Sequence, residues 1–166
     1  MRNYRFCPLC GTSLKKGIIG GKERGYCHKC GFVNYKNPLP SAGAVAVKNG
    51  KILLIKRGRE PGEGFWALPS GFVESGEAPE DACRRELKEE TGLDGIIKRL
   101  IGVYREGTGI YGDVIVIMYL MEVIGGELRA GDDAEEVRFF KKEELPGFHF
   151  NCFKRAVAEV LRKNSL

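Results

Sequence analysis

Between Ala42 and Arg57 the chain reads AGAVAVKNGKILLIKR, two apolar stretches separated by Asn49-Gly50. Asn-Gly between strand-length apolar runs predicts a two-residue β-hairpin, because both turn residues must take positive φ. IIKRLIGVYRE at 96–106 and DVIVIMYLMEVI at 113–124 predict two further strands, and EEVRFF at 135–140 a short one. The second of these is too continuously apolar to have a wet face. Two helices complete the pattern. The first runs from about Pro79, suited to a first helical turn, to Thr91, with Gly92 as the residue that ends it. The second follows Asn151 as N-cap and carries Phe153, Ala156, Val157, Val160 and Leu161 as one apolar stripe. Strands and helices in this order imply an α/β (mixed α+β) architecture, a mixed sheet covered by helices on its two faces.

The first forty residues follow a different pattern. CPLCG (Cys7–Gly11) and CHKCG (Cys27–Gly31) form two C-x2-C pairs sixteen residues apart, the spacing of a four-cysteine zinc site at Cys7, Cys10, Cys27 and Cys30. The intervening GIIGGKERGY is too short and glycine-rich for its own core, so a structural Zn²⁺ is the expected organiser, with a redox C-x-x-C as the lesser alternative. His28, inside a turn, is expected to be exposed. The segment resembles a rubredoxin-like zinc ribbon. NYKNPLP (34–40) reads as a linker, which sets the expected domains at 1–36 and 41–166. Cys83 and Cys152 are left as buried small hydrophobes.

With 166 residues, 43% of them hydrophobic, the chain is long enough for one ordinary domain plus a small addition. No apolar run approaches the ~18 residues of a membrane span, and MRNYRFCPLC lacks a signal-peptide core, so a cytoplasmic protein with no membrane contact is expected. The net charge of +5 is uneven: residues 1–40 hold eight Lys/Arg against one acid, for +7, leaving −2 for the remainder. Four thiolates and one Zn²⁺ would lower that basic excess by 2, which still attracts phosphates but does not by itself indicate nucleic-acid binding.

RRELKEETG (Arg84–Gly92) places Glu86, Glu89 and Glu90 on one helical face, close to the negative end of the helix dipole. Each like-charge pair costs an isolated helix about 0.2–0.5 kcal/mol. A solvated face relieved by an Asp81–Arg85 pair, with Arg84 and Lys88 adding positive charge, accounts for the run in one way. A divalent-cation site accounts for it in another, because hard ions such as Mg²⁺ take carboxylate oxygens.

The longer stretch GFVESGEAPEDACRRELKEETGL (Gly71–Leu93) decides between them by resemblance. Gly71, Glu77, Arg85, Glu86, Leu87, Glu89, Glu90, Gly92 and Leu93 match the Nudix box at every defined position, and FWALPS before it resembles that family's approach to its loop-helix-loop. The resemblance covers Ser41 to about Phe150. A zinc ribbon followed by this domain resembles the subgroup of ADP-ribose, FAD and NADH pyrophosphatases. It implies a Nudix-type α/β/α sandwich and hydrolysis of a nucleoside diphosphate linked to another group. It further implies Mg²⁺ or Mn²⁺ on Glu86, Glu89 and Glu90, with the Gly71 carbonyl as an extra ligand. Arg85 is expected to orient these carboxylates, and Glu77 to join them by pairing with Arg85. A pyrophosphate is a polyanion that three carboxylates repel unless metal reverses the local charge.

The general base is open between the box and a later loop, where GDDAEEV offers Glu135 and Glu136. Phe65, Phe72 and Tyr104 are candidate substrate-binding aromatics, with Tyr111 and Phe148 similar to Tyr104 in this respect; Trp66 fits packing better than base stacking. His149 could contact phosphate. Nothing in 94–166 resembles the SQPWPFPxS-type array of NADH pyrophosphatases, and Thr108 and Gly109 stand where many ADP-ribose pyrophosphatases carry a proline. ADP-ribose or a relative such as FAD is therefore the leading substrate, with NADH or NAD-capped RNA the competing one. The alternative from another class is a Nudix-fold ligand sensor or nucleic-acid-binding regulator, which has no need of an intact box. The expected partner is a small nucleotide, with a homodimer and a nucleic-acid contact left open.

Overall fold

The computed structural model describes residues 4–131 and 133–163, which fall into two compact units divided between Pro38 and Leu39. In the first, β1 (Lys15–Ile19), β2 (Lys22–Tyr26) and β3 (Val33–Asn34) make a small antiparallel sheet in that order. Gly20 and Gly21, at φ 58° and 74°, turn β1 into β2. Among the described residues of this unit only Cys7 and Cys27 are buried, so it has no apolar core of its own.

The second unit is built on a seven-stranded mixed sheet. β4 (Leu39–Lys48) begins inside the stretch read as linker, because Leu39 and Pro40 already pair with Val114 and Ile115 of β9 (Gly112–Gly126). β4 and β9 are parallel; β5 (Lys51–Arg57), β8 (Leu93–Thr108) and β10 (Ala134–Phe140) complete the order β10-β5-β4-β9-β8 through antiparallel pairs. The expected hairpin is present, with Asn49 at φ 50° and Gly50 at 72°. Only Val47↔Ile52 and Lys48↔Lys51 pair across it. Beyond them β6 (Trp66–Ala67) pairs with β5 and β7 (Ser70–Phe72) with β4. This fork opens the sheet where the candidate site lies.

Strand alternation sends side chains to two cores. Ala42, Ala44, Ala46, Leu53, Tyr119, Met121 and Val123 meet Ala82, Cys83 and Leu87 of α1 (Pro79–Thr91). Val45, Ile52, Leu54, Val116, Met118 and Leu120 meet Phe153, Ala156, Val157 and Val160 of α2 (Asn151–Arg162). Period-2 alternation in the strands and the helical stripes thus produce the expected α/β/α sandwich. One terminus departs from expectation. Asn151 is the first residue of α2 and Phe150 its N-cap, with no side-chain cap of its own; the Cys152 N–H instead donates to the Glu106 carboxylate of β8 at 2.8 Å. A cap supplied from 46 positions away leaves no local sequence signal. No helix among the described residues is long and apolar enough to cross a membrane.

Candidate functional site

Pro79 at the first turn, acids at Glu80 and Asp81, and Gly92 in the left-handed region (φ 72°) with its N–H bonded to Lys88 O delimit α1. The buried stripe of α1 runs Ala82, Cys83, Leu87, Glu90, Thr91. A carboxylate therefore occupies a core position at Glu90, only 6% exposed, where it accepts the Ser70 N–H at 2.9 Å. Burial pushes its carboxyl up to about 8, against the Ser70 hydrogen bond, and the neighbouring Glu86 charge adds to the rise. Burial also raises Glu86, opposed by Arg85.

Arg85 holds the patch together. Its Nε and Nη2 donate to the two oxygens of Glu77 at 2.8 and 2.9 Å, and Nη1 donates to Glu86 at 2.6 Å and Glu89 at 3.0 Å. Nη2 also donates to the Phe72 carbonyl at 3.0 Å, so all five guanidinium hydrogens have acceptors. The hydrogen bonds from Arg85, joined by the Glu74 N–H, hold the Glu77 carboxyl down to about 2. The expected Asp81–Arg85 pair is absent: Asp81 pairs with Arg84 at 2.8 Å, and Lys88 turns to Asp94 at 2.9 Å. Those cations relieve other acids, leaving the carboxylate face to Arg85.

β7 closes against this face. A Cβ on Gly71 would overlap the Glu86 carboxylate, so glycine is required there by approach rather than by conformation. The Gly71 carbonyl accepts the Ser41 hydroxyl at 2.7 Å. Glu86, Glu90, Gly71 and Phe72 line a cleft of about 360 Å³ together with Arg57, Arg59, Asp133 and Tyr111. A second space of about 340 Å³ shares Arg59, Asp133, Glu86 and Glu90 with that lining and adds Glu89. Arg59 and Asp133 pair at 2.9 Å, and Arg57 donates to the Pro61 carbonyl at 2.8 Å. Three oxygen acids on one wall, with arginines beside them, suit a hard divalent ion and a phosphate together.

Sequence reasoning missed Arg57, Arg59 and Asp133. Two arginines in RGR, at the end of a buried strand, are a readable signal for a charged strand end. The loop GDDAEEV does reach the site, but through Asp133: Glu135 pairs with Lys56 at 3.1 Å, Glu136 is exposed, and neither lines the cleft. Phe72 lines the cleft, edge-on to Tyr111 with ring centroids 5.1 Å apart. Phe65 stands outside it against His149, at 5.0 Å. Tyr104 does not fit the expectation of substrate contact: it is buried in the α2 core with the Arg155 guanidinium 4.8 Å above its ring. Trp66 packs on Phe140, and Phe148 bridges to Trp66.

In the first unit the four thiols Cys7, Cys10, Cys27 and Cys30 lie within 4.8 Å of one another. Their turns match: Cys7 N–H donates to Thr12 O and Gly11 N–H to Cys7 O, and Cys27 N–H donates to Phe32 O and Gly31 N–H to Cys27 O. Gly11 and Gly31 supply the same positive φ, 71° and 78°. Sulfur separations of 3.5, 3.5 and 3.6 Å approach the ~3.8 Å edge of a tetrahedron with ~2.3 Å metal–sulfur bonds. The donor set therefore fits Zn²⁺. His28 is exposed and outside the cluster.

The site can be set beside known proteins. A chain described as ADP-ribose pyrophosphatase from Methanocaldococcus jannaschii is 48% identical over 118 residues, 70% of each chain. NAD-capped RNA hydrolase NudC from Chromobacterium violaceum is 30% identical over 147 residues, 87% of this chain and 53% of that one, so the chain spans about half the length of that relative. A NUDIX hydrolase crystal structure from Nitrosomonas europaea superposes with a TM-score of 0.85 at 26% identity, covering 98% of this chain and 93% of the other. The NUDIX domain model matches residues 37–161, the unit that holds the α1 carboxylates, their arginine and the forked sheet, and the chain belongs to the NUDIX family of hydrolases.

Proposed function

We propose that this protein hydrolyses the pyrophosphate bond of a nucleoside diphosphate linked to a second group, ADP-ribose or a related dinucleotide such as FAD. Mg²⁺ or Mn²⁺ would be held by Glu86, Glu89, Glu90 and the Gly71 carbonyl, and a structural Zn²⁺ by the four cysteines of a ribbon domain preceding the hydrolase domain. The observation that carries the reading is that Glu86 and Glu89, held by Arg85, and Glu90, held by the Ser70 N–H, all line a space beside Arg59, and that Glu86 and Glu90 also line the cleft that holds Arg57. When bound, the ion supplies Lewis acidity toward a phosphoryl oxygen, an acidified water and charge neutralisation. Arg57 and Arg59 hold the phosphates, and the Phe72–Tyr111 edge forms an apolar wall for the nucleoside. Asp133 takes the proton of the attacking water as the bond from phosphorus to the bridging oxygen breaks; Glu135 and Glu136 lie outside the cleft.

The likeness to NudC supports a second reading, NADH or NAD-capped RNA as substrate. A metal-dependent turnover screen over ADP-ribose, FAD, NADH and NAD-capped RNA, with products identified by mass, separates the two. Faster release of AMP from ADP-ribose or FAD supports the first, and faster NADH or cap cleavage the second. Binding without turnover on the whole panel would indicate a sensor.

A further inference from the structure

One face of the ribbon sheet gathers cations and aromatic rings. The register Lys15↔Tyr26, Gly17↔Arg24 and Ile19↔Lys22 puts Lys15, Lys22, Arg24 and Tyr26 on the same side of the small sheet. Tyr35 joins them, because the Arg24 guanidinium lies 4.5 Å over its ring. A Cβ at Gly17 would come within 2.9 Å of the Tyr26 ring, so glycine there lets that ring lie across β1. Lys15 and Lys22 are exposed, and Tyr35 is 55% exposed. Residues 4–38 contain one acid, Glu23, and the alternation turns it to the opposite face, where it pairs with Lys16 at 3.2 Å. Seven cations against that acid give +6, and a Zn²⁺ with four thiolates would leave +4.

From this placement we infer that the Lys15, Lys22, Arg24, Tyr26, Tyr35 face of the ribbon binds single-stranded nucleic acid. Three cations free of any acid on their own face complement a phosphate backbone, and the two tyrosine rings between them accept bases by stacking. An acidic protein segment would satisfy the cations but leave the rings without stacking partners. The residues of this face belong to the first unit and those of the Glu86 cleft to the second, and the inference does not depend on which pyrophosphate is hydrolysed.

The test is fluorescence anisotropy of the zinc-loaded full chain with a labelled ten-nucleotide single-stranded RNA of mixed sequence, read across NaCl concentration. Affinity is expected to fall steeply with salt. Lys22→Glu should weaken binding at least about tenfold and flatten the salt dependence, by about 0.7 in log–log slope for each phosphate that is no longer neutralised. Tyr35→Ala should weaken it about fivefold or more with the slope preserved, as removal of one stacked base requires. Lys16→Glu makes the same charge change on the opposite face and should cost less than about threefold. Zinc content reports folding of the ribbon and pyrophosphate hydrolysis that of the second unit, and Lys15→Gln replaces any variant that loses zinc. Equal losses for Lys16→Glu and Lys22→Glu, no measurable binding, equal affinity for duplex, or displacement by polyglutamate at matched charge would each overturn the inference.

Discussion

Glu90 carries the sharpest consequence at the residue scale. With its carboxyl pushed up to about 8 by burial, the metal-free protein keeps that proton at neutral pH. The sign follows from linkage: a folded-state value above the unfolded ~4.3 stabilises the protein below that range, and the contribution is lost as pH rises through about 8. Metal binding needs the ionised form, so half-saturating Mg²⁺ should fall as pH rises from 5.5 and level off above about 8, and Mg²⁺ added to weakly buffered protein at pH 7 should release protons. Initial rates against Mg²⁺ and a proton-release titration check both. Glu77 runs the other way. Held down to about 2 by Arg85, it contributes stability above the ordinary carboxyl range that disappears as pH falls from about 4.5 toward 2. Glu77→Gln should therefore melt lower at neutral pH and show a flatter thermal midpoint over that acid window. The box spacing made Glu77 and Arg85 legible as partners. It could not show that Glu90 is a buried acid, because a glutamate at a core position of a helical stripe reads like any other polar residue.

At the scale of elements, the helices and the hairpin were legible because each signal is local: Pro79, Gly92 and the Asn49-Gly50 pair act within a few residues. What was not legible is long-range. The fork that inserts β6 and β7 between β4 and β5 depends on pairings the strand pattern does not encode, and α2 is capped by Glu106 from a distant strand. Asp133 entered the site, and Glu135 left it, because the register of β10 on β5 decides which residue of that acidic loop faces the cleft. Gly71 is where element packing meets chemistry. Gly71→Ala forces β7 away from α1 or swings Glu86 out of place, and a displacement near 1 Å at a reacting centre costs about 10²-fold in rate. Its kcat should fall by that order while far-UV circular dichroism keeps the wild-type helix signal. A variant with wild-type kcat would show that the Glu86 position is not critical.

On the scale of the whole molecule the two units stand on different physics. The second has apolar cores on both faces of its sheet, whereas the described part of the first buries only Cys7 and Cys27. Removal of Zn²⁺, or Cys7→Ser, should therefore unfold the ribbon, seen as lost amide protection over residues 4–38, and leave hydrolysis at saturating Mg²⁺ within about twofold. Cysteine spacing predicts this dependence, but the face that gathers Lys22, Arg24 and Tyr35 required the strand register. Glu86, Glu89 and Glu90 are proposed to form a divalent-metal site that drives pyrophosphate hydrolysis. Glu89 tests it most directly: its side chain is the most exposed of the Arg85-bound carboxylates, so Glu89→Gln leaves both cores intact. The measurement is kcat for ADP-ribose, or whichever compound the screen selects, in wild type and Glu89→Gln across Mg²⁺ concentration at pH 8. At least about a 10²-fold loss at saturating substrate is expected, with an unchanged or higher metal-free melting temperature. Wild-type turnover by Glu89→Gln at the same Mg²⁺ would contradict it.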